Sequence, residues 1–288
     1  MPISEIPLED KSRAYFSFSL RDGPLTDSLV LNLSARRKFS LGSVDFSFTT
    51  LDISDNNDSY YVRGASELLR ALKTFVVENG FRFVFLVGSS KGGFGSLMLS
   101  ARLAAELPCT HFRAVVFSPQ TYVWPPNPHI PYLSYKKMIA SAKKGNNDLE
   151  ADLKEFGTAP LIEGQANLCW LVMYGNRNRF DAKAIHSLGK GRVMLEPLPM
   201  SSHSTILPFL CNANDPARVQ RLVAELTSKA DQDGDIAFDL ASASNSKLFN
   251  EIINMLPRPD LRDLIIWLRK LDAEAANRMS TQQPVNAT

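Results

Sequence analysis

The 288-residue chain has little of what stabilises or arms a protein by special means. It has three cysteines, Cys109, Cys169 and Cys211, widely spaced and mostly set among apolar neighbours. An odd, scattered set of this kind is no disulfide framework. It reads as reduced core thiols in a reducing compartment, which makes a cytoplasmic location the expectation. Nowhere do eighteen apolar residues run together, so no membrane span is expected. The opening MPISEIPLEDKSR is polar and acidic and lacks the apolar centre of a secretory signal. Charge of one sign is also missing: 32 Lys and Arg stand against 30 Asp and Glu, a formal net charge of +2, with no long run of like charge. That balance argues against a nucleic-acid partner, which would need a basic stripe along its binding face. No internal repeat is visible. What remains is an ordinary soluble composition, 44% hydrophobic and 22% charged, in a chain long enough for one large domain and an appendage.

Apolar runs give the organisation. Ala14–Leu20 alternates aromatic and small polar residues ahead of the turn Arg21-Asp22-Gly23-Pro24, suggesting an early antiparallel strand. Ser28–Leu33, Asp45–Ile53, Phe83–Val87, Ala114–Phe117, Leu168–Tyr174 and Val193–Leu195 read as further strands. Several of these are unbroken apolar runs, and helical patterns separate them. Residues 68, 69, 72, 75 and 76 make one helix face closed by Gly80, and residues 219, 222, 223 and 226 make another after Asp215-Pro216. Buried strands alternating with helices imply an α/β fold with a mostly parallel sheet covered on both sides. Lys136–Phe156 looks helical, polar and exposed, with a break at Gly145-Asn146-Asn147. The segment SPQTYVWPPNPHIPY, with prolines at 125, 126, 128 and 131, cannot be a helix or a central strand and reads as a loop at the carboxyl edge of the sheet.

The most informative stretch is FRFVFLVGSSKGGFGSLMLSARL, residues 81–103, read as strand, sharp turn and buried helix. Its turn fits G-x-S-x-G, with Ser90 flanked two residues away by Gly88 and Gly92. A serine on so tight a turn sits in a strained backbone conformation, and bulky neighbours at those two positions would clash. The helix that follows aims unpaired N–H groups at any oxyanion forming beside Ser90. The segment Lys91–Leu97 is also close to a variant phosphate loop. However, Ser96 and Leu97 stand where that loop needs a lysine and a magnesium-binding hydroxyl.

Residues 88–93 resemble the nucleophile elbow of the α/β-hydrolase superfamily, and the resemblance extends through the order of elements from about residue 14 to residue 212. It implies acyl chemistry through a nucleophilic Ser90, with an acid and a histidine following in that chain order from loops at strand ends. Four histidines limit the choice of base: His111 precedes a strand, His129 lies in the proline loop, His186 falls within an expected helix, and His203 follows the last strand and is the candidate. The acid is Asp181, in the loop after Tyr174, although Asn178 stands nearer the strand at the position many superfamily members use. Asp181 could instead cap a helix beginning at Ala182. The resemblance assigns the oxyanion hole to the amide of Lys91 together with that of Ser34 or Ala35. Tyr122 and Trp124 in the proline loop are candidate pocket walls. Arg36, with Arg37, Lys91, Arg177 and Arg179, is a candidate basic rim for an anionic substrate.

The expected protein is a serine hydrolase acting on an ester, thioester or amide of a small-molecule or glycan substrate, with no metal or organic cofactor implied. Acyl transfer to a sugar or other hydroxyl is the alternative, and a non-catalytic binding protein on the same fold is a third reading. The catalytic domain is expected over 1–230. Residues 231–288 form a helical extension with a polar tail, whose apolar stripes over Ser246–Leu256 and Asp260–Leu271 dock on the core or on a second copy as a homodimer. No titratable pair there suggests a share in the chemistry.

Overall fold

The computed structural model describes residues 10–36, 41–159, 165–186, 188, 193–211, 215–230, 235, 245–255 and 259–281. A short helix, α1 (Asp10–Tyr15), leads into strands β1 (Phe16–Arg21), β2 (Leu25–Ser34) and β3 (Phe48–Asp55). Helix α2 (Ala65–Glu78), strand β4 (Phe83–Ser89), helix α3 (Lys91–Glu106) and strand β5 (His111–Phe117) follow. Helices α4 (Leu133–Lys143) and α5 (Asn147–Phe156) separate β5 from β6 (Leu168–Gly175), and α6 (Arg179–Ile185) separates β6 from β7 (Val193–Leu198). A 3-10 turn (Leu207–Leu210) leads to α7 (Pro216–Ala230), α8 (Asn245–Ile253) and α9 (Leu261–Thr281).

The seven strands form one sheet in the order β1-β3-β2-β4-β5-β6-β7. Only β1 runs antiparallel, paired with β3; every other ladder is parallel. The carboxyl ends of β2, β4, β5, β6 and β7 therefore share one edge. The central strands are apolar throughout because both faces are covered, and successive side chains serve different layers. Val84 and Leu86 of β4 join one core with α2, α3, α4 and α5, through residues such as Leu72, Phe75, Leu97, Met98, Met138 and Leu153. Phe83, Phe85 and Val87 point the other way, into a second core built with α7, α8 and α9.

One expectation is corrected here. Helices α4 and α5 are not polar surface helices: Tyr135, Met138, Ile139, Leu149, Leu153 and Phe156 are buried against the first core. The stripes of the C-terminal helices dock on the core, one of the two places expected for them. Leu248, Ile252, Leu261, Ile265 and Leu268 close the second face of the sheet itself, alongside Val30, Phe85 and Val115. Leu256, part of the same expected stripe, lies outside the described residues. Trp267 and Leu271 of α9 stay 54% and 40% exposed, which leaves a surface on which pairing of two copies can be tried. Among the described residues no helix is long and apolar enough to cross a membrane.

Candidate active site

Strand β4 delivers Ser90 to the carboxyl edge of the sheet as the N-cap of α3, with φ 54° and ψ −116°. Positive φ at a non-glycine residue costs roughly 1–3 kcal/mol and persists only where the surroundings enforce it. Here the Ser90 N–H donates to the Phe117 carbonyl at 2.9 Å, and the Ser90 carbonyl accepts from the Phe94 N–H at 3.0 Å. A serine at an N-cap ordinarily turns its hydroxyl onto the helix's first amides. Ser90 makes no such cap bond, so its hydroxyl is not committed to holding the helix.

The two flanking glycines answer to measurable crowding. A Cβ on Gly88 would lie 2.3 Å from the Gly92 carbonyl oxygen, and one on Gly92 would lie 2.0 Å from the Leu33 carbonyl oxygen. The second contact brings the end of β2 against the first turn of α3, so Ser34 and Ala35 leave the sheet beside the elbow. Ser34 is buried and its carbonyl accepts from the Tyr61 hydroxyl at 2.8 Å. The carbonyl of Arg36 accepts from the Ser54 hydroxyl at 2.8 Å; Arg37 lies outside the described residues. Lys91 opens α3 with its N–H facing the elbow's end of the helix. Its ammonium group sits 3.3 Å from Asp58 and 3.5 Å from Asp235, above the ring of Tyr60. This departs from a basic rim, because two carboxylates offset the charge of Lys91. The segment Asp55–Tyr61 that carries Asp58 and Tyr60 is held by Asp55, whose Oδ2 accepts from Ser59 N, Ser59 Oγ and Tyr61 N. Burial pushes the Asp55 carboxyl above its ordinary range, against those bonds. Ser96 turns its hydroxyl onto the Gly92 carbonyl and Leu97 is fully buried, so neither serves a phosphate.

Two strands away, Asp181 and His203 meet. His203 Nδ1 lies 2.6 Å from Asp181 Oδ1, and the two side chains are only 9% and 1% exposed. Asp181 Oδ2 accepts from the Ser118 hydroxyl and from the Gly175 N–H at 3.3 Å. Ser118 in turn lies 2.8 Å from the Thr205 hydroxyl. Asn178 is the N-cap of α6, its Oδ1 accepting from Phe180 N and Asp181 N, so Asp181 does not serve as the cap and is turned to the histidine. Gly175 is bare where the histidine loop passes; a Cβ there would lie 2.8 Å from the Met200 carbonyl oxygen. The ring of Tyr132 packs on His203 with centroids 5.0 Å apart. With Nδ1 held by a carboxylate, Nε2 is the ring nitrogen suited to exchanging a proton. Neighbouring strand ends join this pair to the elbow: Ser90 bonds the Phe117 carbonyl, and the next residue, Ser118, bonds Asp181.

A cavity of about 330 Å³ opens beside the pair. Asp181 and His203 line it with Tyr122, His129, Ile130, Tyr132, Phe180, His186 and Gln120 among others. Trp124 does not line it: its N–H bonds the Gly157 carbonyl at 2.9 Å, its carbonyl accepts from Thr158 Oγ1, and the side chain packs on the first core. Of the other histidines, His111 opens β5 at the opposite edge, stacked on Phe83 with its pKa lowered by burial. His186 falls just past α6, as its C-cap, and both it and His129 reach the cavity. Among the described residues no group of three His, Cys, Asp or Glu side chains is arranged to hold a metal ion.

Several contributors to this site carry no motif. Glu251 of α8, 7% exposed, binds Ser201 through both carboxylate oxygens, at 3.0 Å to the N–H and 2.9 Å to the hydroxyl, two residues before His203. Asp235 binds Ser134 and approaches Lys91. The region after residue 230 therefore reaches the candidate site twice, through Glu251 and through Asp235. Ser118 and Thr205 were also silent in the sequence. A serine with positive φ immediately after a buried strand is a signal only once the strand's end is known.

No family model and no curated protein sequence matches the chain. Solved structures similar to it include the Wnt deacylase Notum from Drosophila, at 12% identity over 63% of this chain and 78% of that one, with a TM-score of 0.37. A monoacylglycerol lipase of Paleococcus ferrophilus is similar at 13% identity over 64% and 88%, TM-score 0.40. A carboxylesterase of the Thaumarchaeon Nitrososphaera gargenis is similar at 10% identity over 64% and 85%, TM-score 0.41. Likenesses this distant carry no argument about the reaction. The sheet order, the single antiparallel edge and the strand–turn–helix carrying Ser90 define an α/β-hydrolase fold, and the chemistry is argued from the side chains.

Proposed function

We propose that the protein is a serine hydrolase that cleaves an ester, thioester or amide through an acyl-enzyme on Ser90. One observation carries this reading: a buried His203–Asp181 pair at 2.6 Å stands at the same sheet edge as a serine held at positive φ with its hydroxyl uncommitted to capping. A serine hydroxyl attacks a carbonyl only when a base accepts its proton, and His203 Nε2 is that base. Asp181 holds the ring in the tautomer with Nδ1–H and stabilises the imidazolium that forms. As Oγ bonds to the acyl carbon, the carbonyl oxygen becomes an oxyanion. The N–H of Lys91, first in a 16-residue helix, and that of Ser34 or Ala35 receive it. His203 then protonates the leaving oxygen, sulfur or nitrogen. In the second half it deprotonates a water, which releases the acid and restores Ser90.

Transfer to an acceptor hydroxyl is the second reading, favoured by a cavity beside His203 large enough to seat an acceptor in place of water. A fluorophosphonate probe should label wild-type protein and leave Ser90→Ala unlabelled. p-Nitrophenyl acetate should be turned over continuously by the hydrolase. Release that stops at one equivalent until a glycan is added would favour transfer, and absence of labelling would refute both.

A further inference from the structure

The carboxylate that holds His203 is itself held by buried hydroxyls. Asp181 Oδ1 takes the histidine, which leaves Oδ2 to be satisfied, and the Gly175 N–H at 3.3 Å makes only a long bond to it. The Ser118 hydroxyl supplies the closer partner. A hydroxyl has a single proton and a carboxylate only accepts, so the Ser118 proton goes to Asp181. Thr205 Oγ1, 2.8 Å from Ser118 Oγ, is then the donor in that contact. The bonds therefore point one way, from Thr205 to Ser118 to Asp181. Ser118 and Thr205 are both fully buried, and a carboxylate whose side chain is 1% exposed cannot turn to water for a missing bond.

The backbone at Ser118 is equally specific. Ser118 is the residue after β5, its N–H donates to the Met173 carbonyl of β6 at 2.7 Å, and its φ is 43°. Non-glycine residues are uncommon in that region, and a glycine would meet the backbone's need without strain. Serine holds the unfavourable conformation and brings the hydroxyl that reaches Asp181. Its surroundings tie it to all three loops of the site: the preceding residue, Phe117, accepts from the Ser90 N–H at 2.9 Å, Asp181 takes the hydroxyl, and Thr205 lies two residues beyond His203.

We infer that Ser118 is a positioning residue for the reaction and that Thr205 is its support. The directed pair of hydroxyls fixes the plane of the Asp181 carboxylate, so that Oδ1 keeps hold of His203 Nδ1–H and the ring stays in the pose from which Nε2 serves Ser90. Neither residue lines the cavity beside His203, so loss of either hydroxyl acts on the proton transfer and not on substrate binding. The inference rests on the serine-hydrolase reading, because it takes Asp181 and His203 as the working acid and base.

The test combines steady-state kinetics on p-nitrophenyl acetate with the downfield proton NMR signal of the carboxylate-bonded Nδ1–H, assigned by its loss in His203→Ala. Ser118→Ala removes the hydroxyl and keeps the Cβ; Ser118→Gly removes it and also relieves the positive φ. Both should lower kcat by about ten- to a hundredfold with KM within about twofold of wild type, and both should shift or broaden the NMR signal. Thr205→Val, close in shape, should cost about three- to tenfold in the wild-type background and nothing further on top of Ser118→Ala, because Thr205 acts through Ser118. Thr205→Ser keeps the donor and should stay near wild type; if the Ser118 variants fail to fold, the contrast between Thr205→Val and Thr205→Ser decides. Wild-type kcat with an unmoved NMR signal in both Ser118 variants would overturn the inference. So would a loss confined to Ser118→Ala, which would trace to the backbone, or a Thr205→Val loss repeated in full beside Ser118→Ala, which would make the two hydroxyls independent. Fluorophosphonate labelling of the wild-type protein separates the two levels: labelling with unaffected variants sinks the role of Ser118 alone, and absence of labelling sinks the serine-hydrolase reading with it.

Discussion

The two faces of the sheet are built by the same alternation of side chains yet are covered by very different parts of the chain. On the first face the covering helices follow their strands closely, and the layer is laid down by residues 65–156. On the second, the cover arrives from far away in sequence, after the last strand, as α7, α8 and α9. The contact between Arg269 and Asp27 at 2.6 Å, with the guanidinium also 3.9 Å over the Phe83 ring, spans almost the whole chain. The comparison teaches that a helical tail read as an appendage can be half of a core. Sheet faces need covering wherever the cover comes from, because an uncovered face would leave Phe83, Phe85 and Val115 in water at about 25 cal/mol per Å².

If chemistry lies at the strand ends and stability in the two covers, substitutions should separate the two cleanly. The largest effect expected is from His203→Ala, which removes the base. Hydrolysis of p-nitrophenyl acetate should fall by roughly 10⁴-fold or more while the protein stays folded, with melting lowered only by the loss of one buried loop ring. Melting that collapses together with activity would mean that the ring is chiefly structural, packed on Tyr132.

Next in size, Asp181→Asn should cost on the order of 10³–10⁴-fold in kcat, because the amide favours the wrong imidazole tautomer. Asn178→Ala should leave kcat within a few-fold and lower stability by about 1 kcal/mol, the usual worth of an N-cap. A reversed ranking would show that the cap and the orienting carboxylate have been assigned the wrong way round.

On the second face, Ile265→Ala opens a cavity at a fully buried position of α9. It should destabilise by about 2–5 kcal/mol, read as a lower denaturation midpoint, with kcat of the folded protein little changed. Removal of residues 245–288 exposes the part of this face that α8 and α9 cover and should give aggregation in light scattering. A soluble, active remainder would show that α8 and α9 are an appendage after all.

The parts legible in the sequence were those with local physical signatures. Unbroken apolar runs marked β4 and β6, and two glycines around Ser90 marked a turn that tolerates no Cβ. Asp181 and His203 followed from chain order and from the scarcity of histidine, though spacing could not separate Asp181 from Asn178. What stayed hidden depends on contacts between distant segments. Glu251 on an amphipathic helix looks like any solvated charge, and Ser118 looks like any serine after a strand. The stripe Leu248–Ile252 announces burial without naming the surface that buries it.

Glu251 is where the division between the faces should fail, and its effect should be the smallest. It sits on α8 within the second cover, yet both its oxygens hold Ser201 in the loop that presents His203. Glu251→Ala leaves a buried N–H and a hydroxyl without their acceptor and frees the loop to shift, and misplacement of a base by a fraction of an ångström is enough to slow proton transfer. The expected result is a fall in kcat of about ten- to a hundredfold, a parallel slowing of fluorophosphonate labelling, and little change in KM. Glu251→Gln keeps one acceptor oxygen for Ser201 and should recover most of the loss. If both variants merely lower the melting temperature and label Ser90 at the wild-type rate, α8 supports the fold and leaves the histidine loop to position itself.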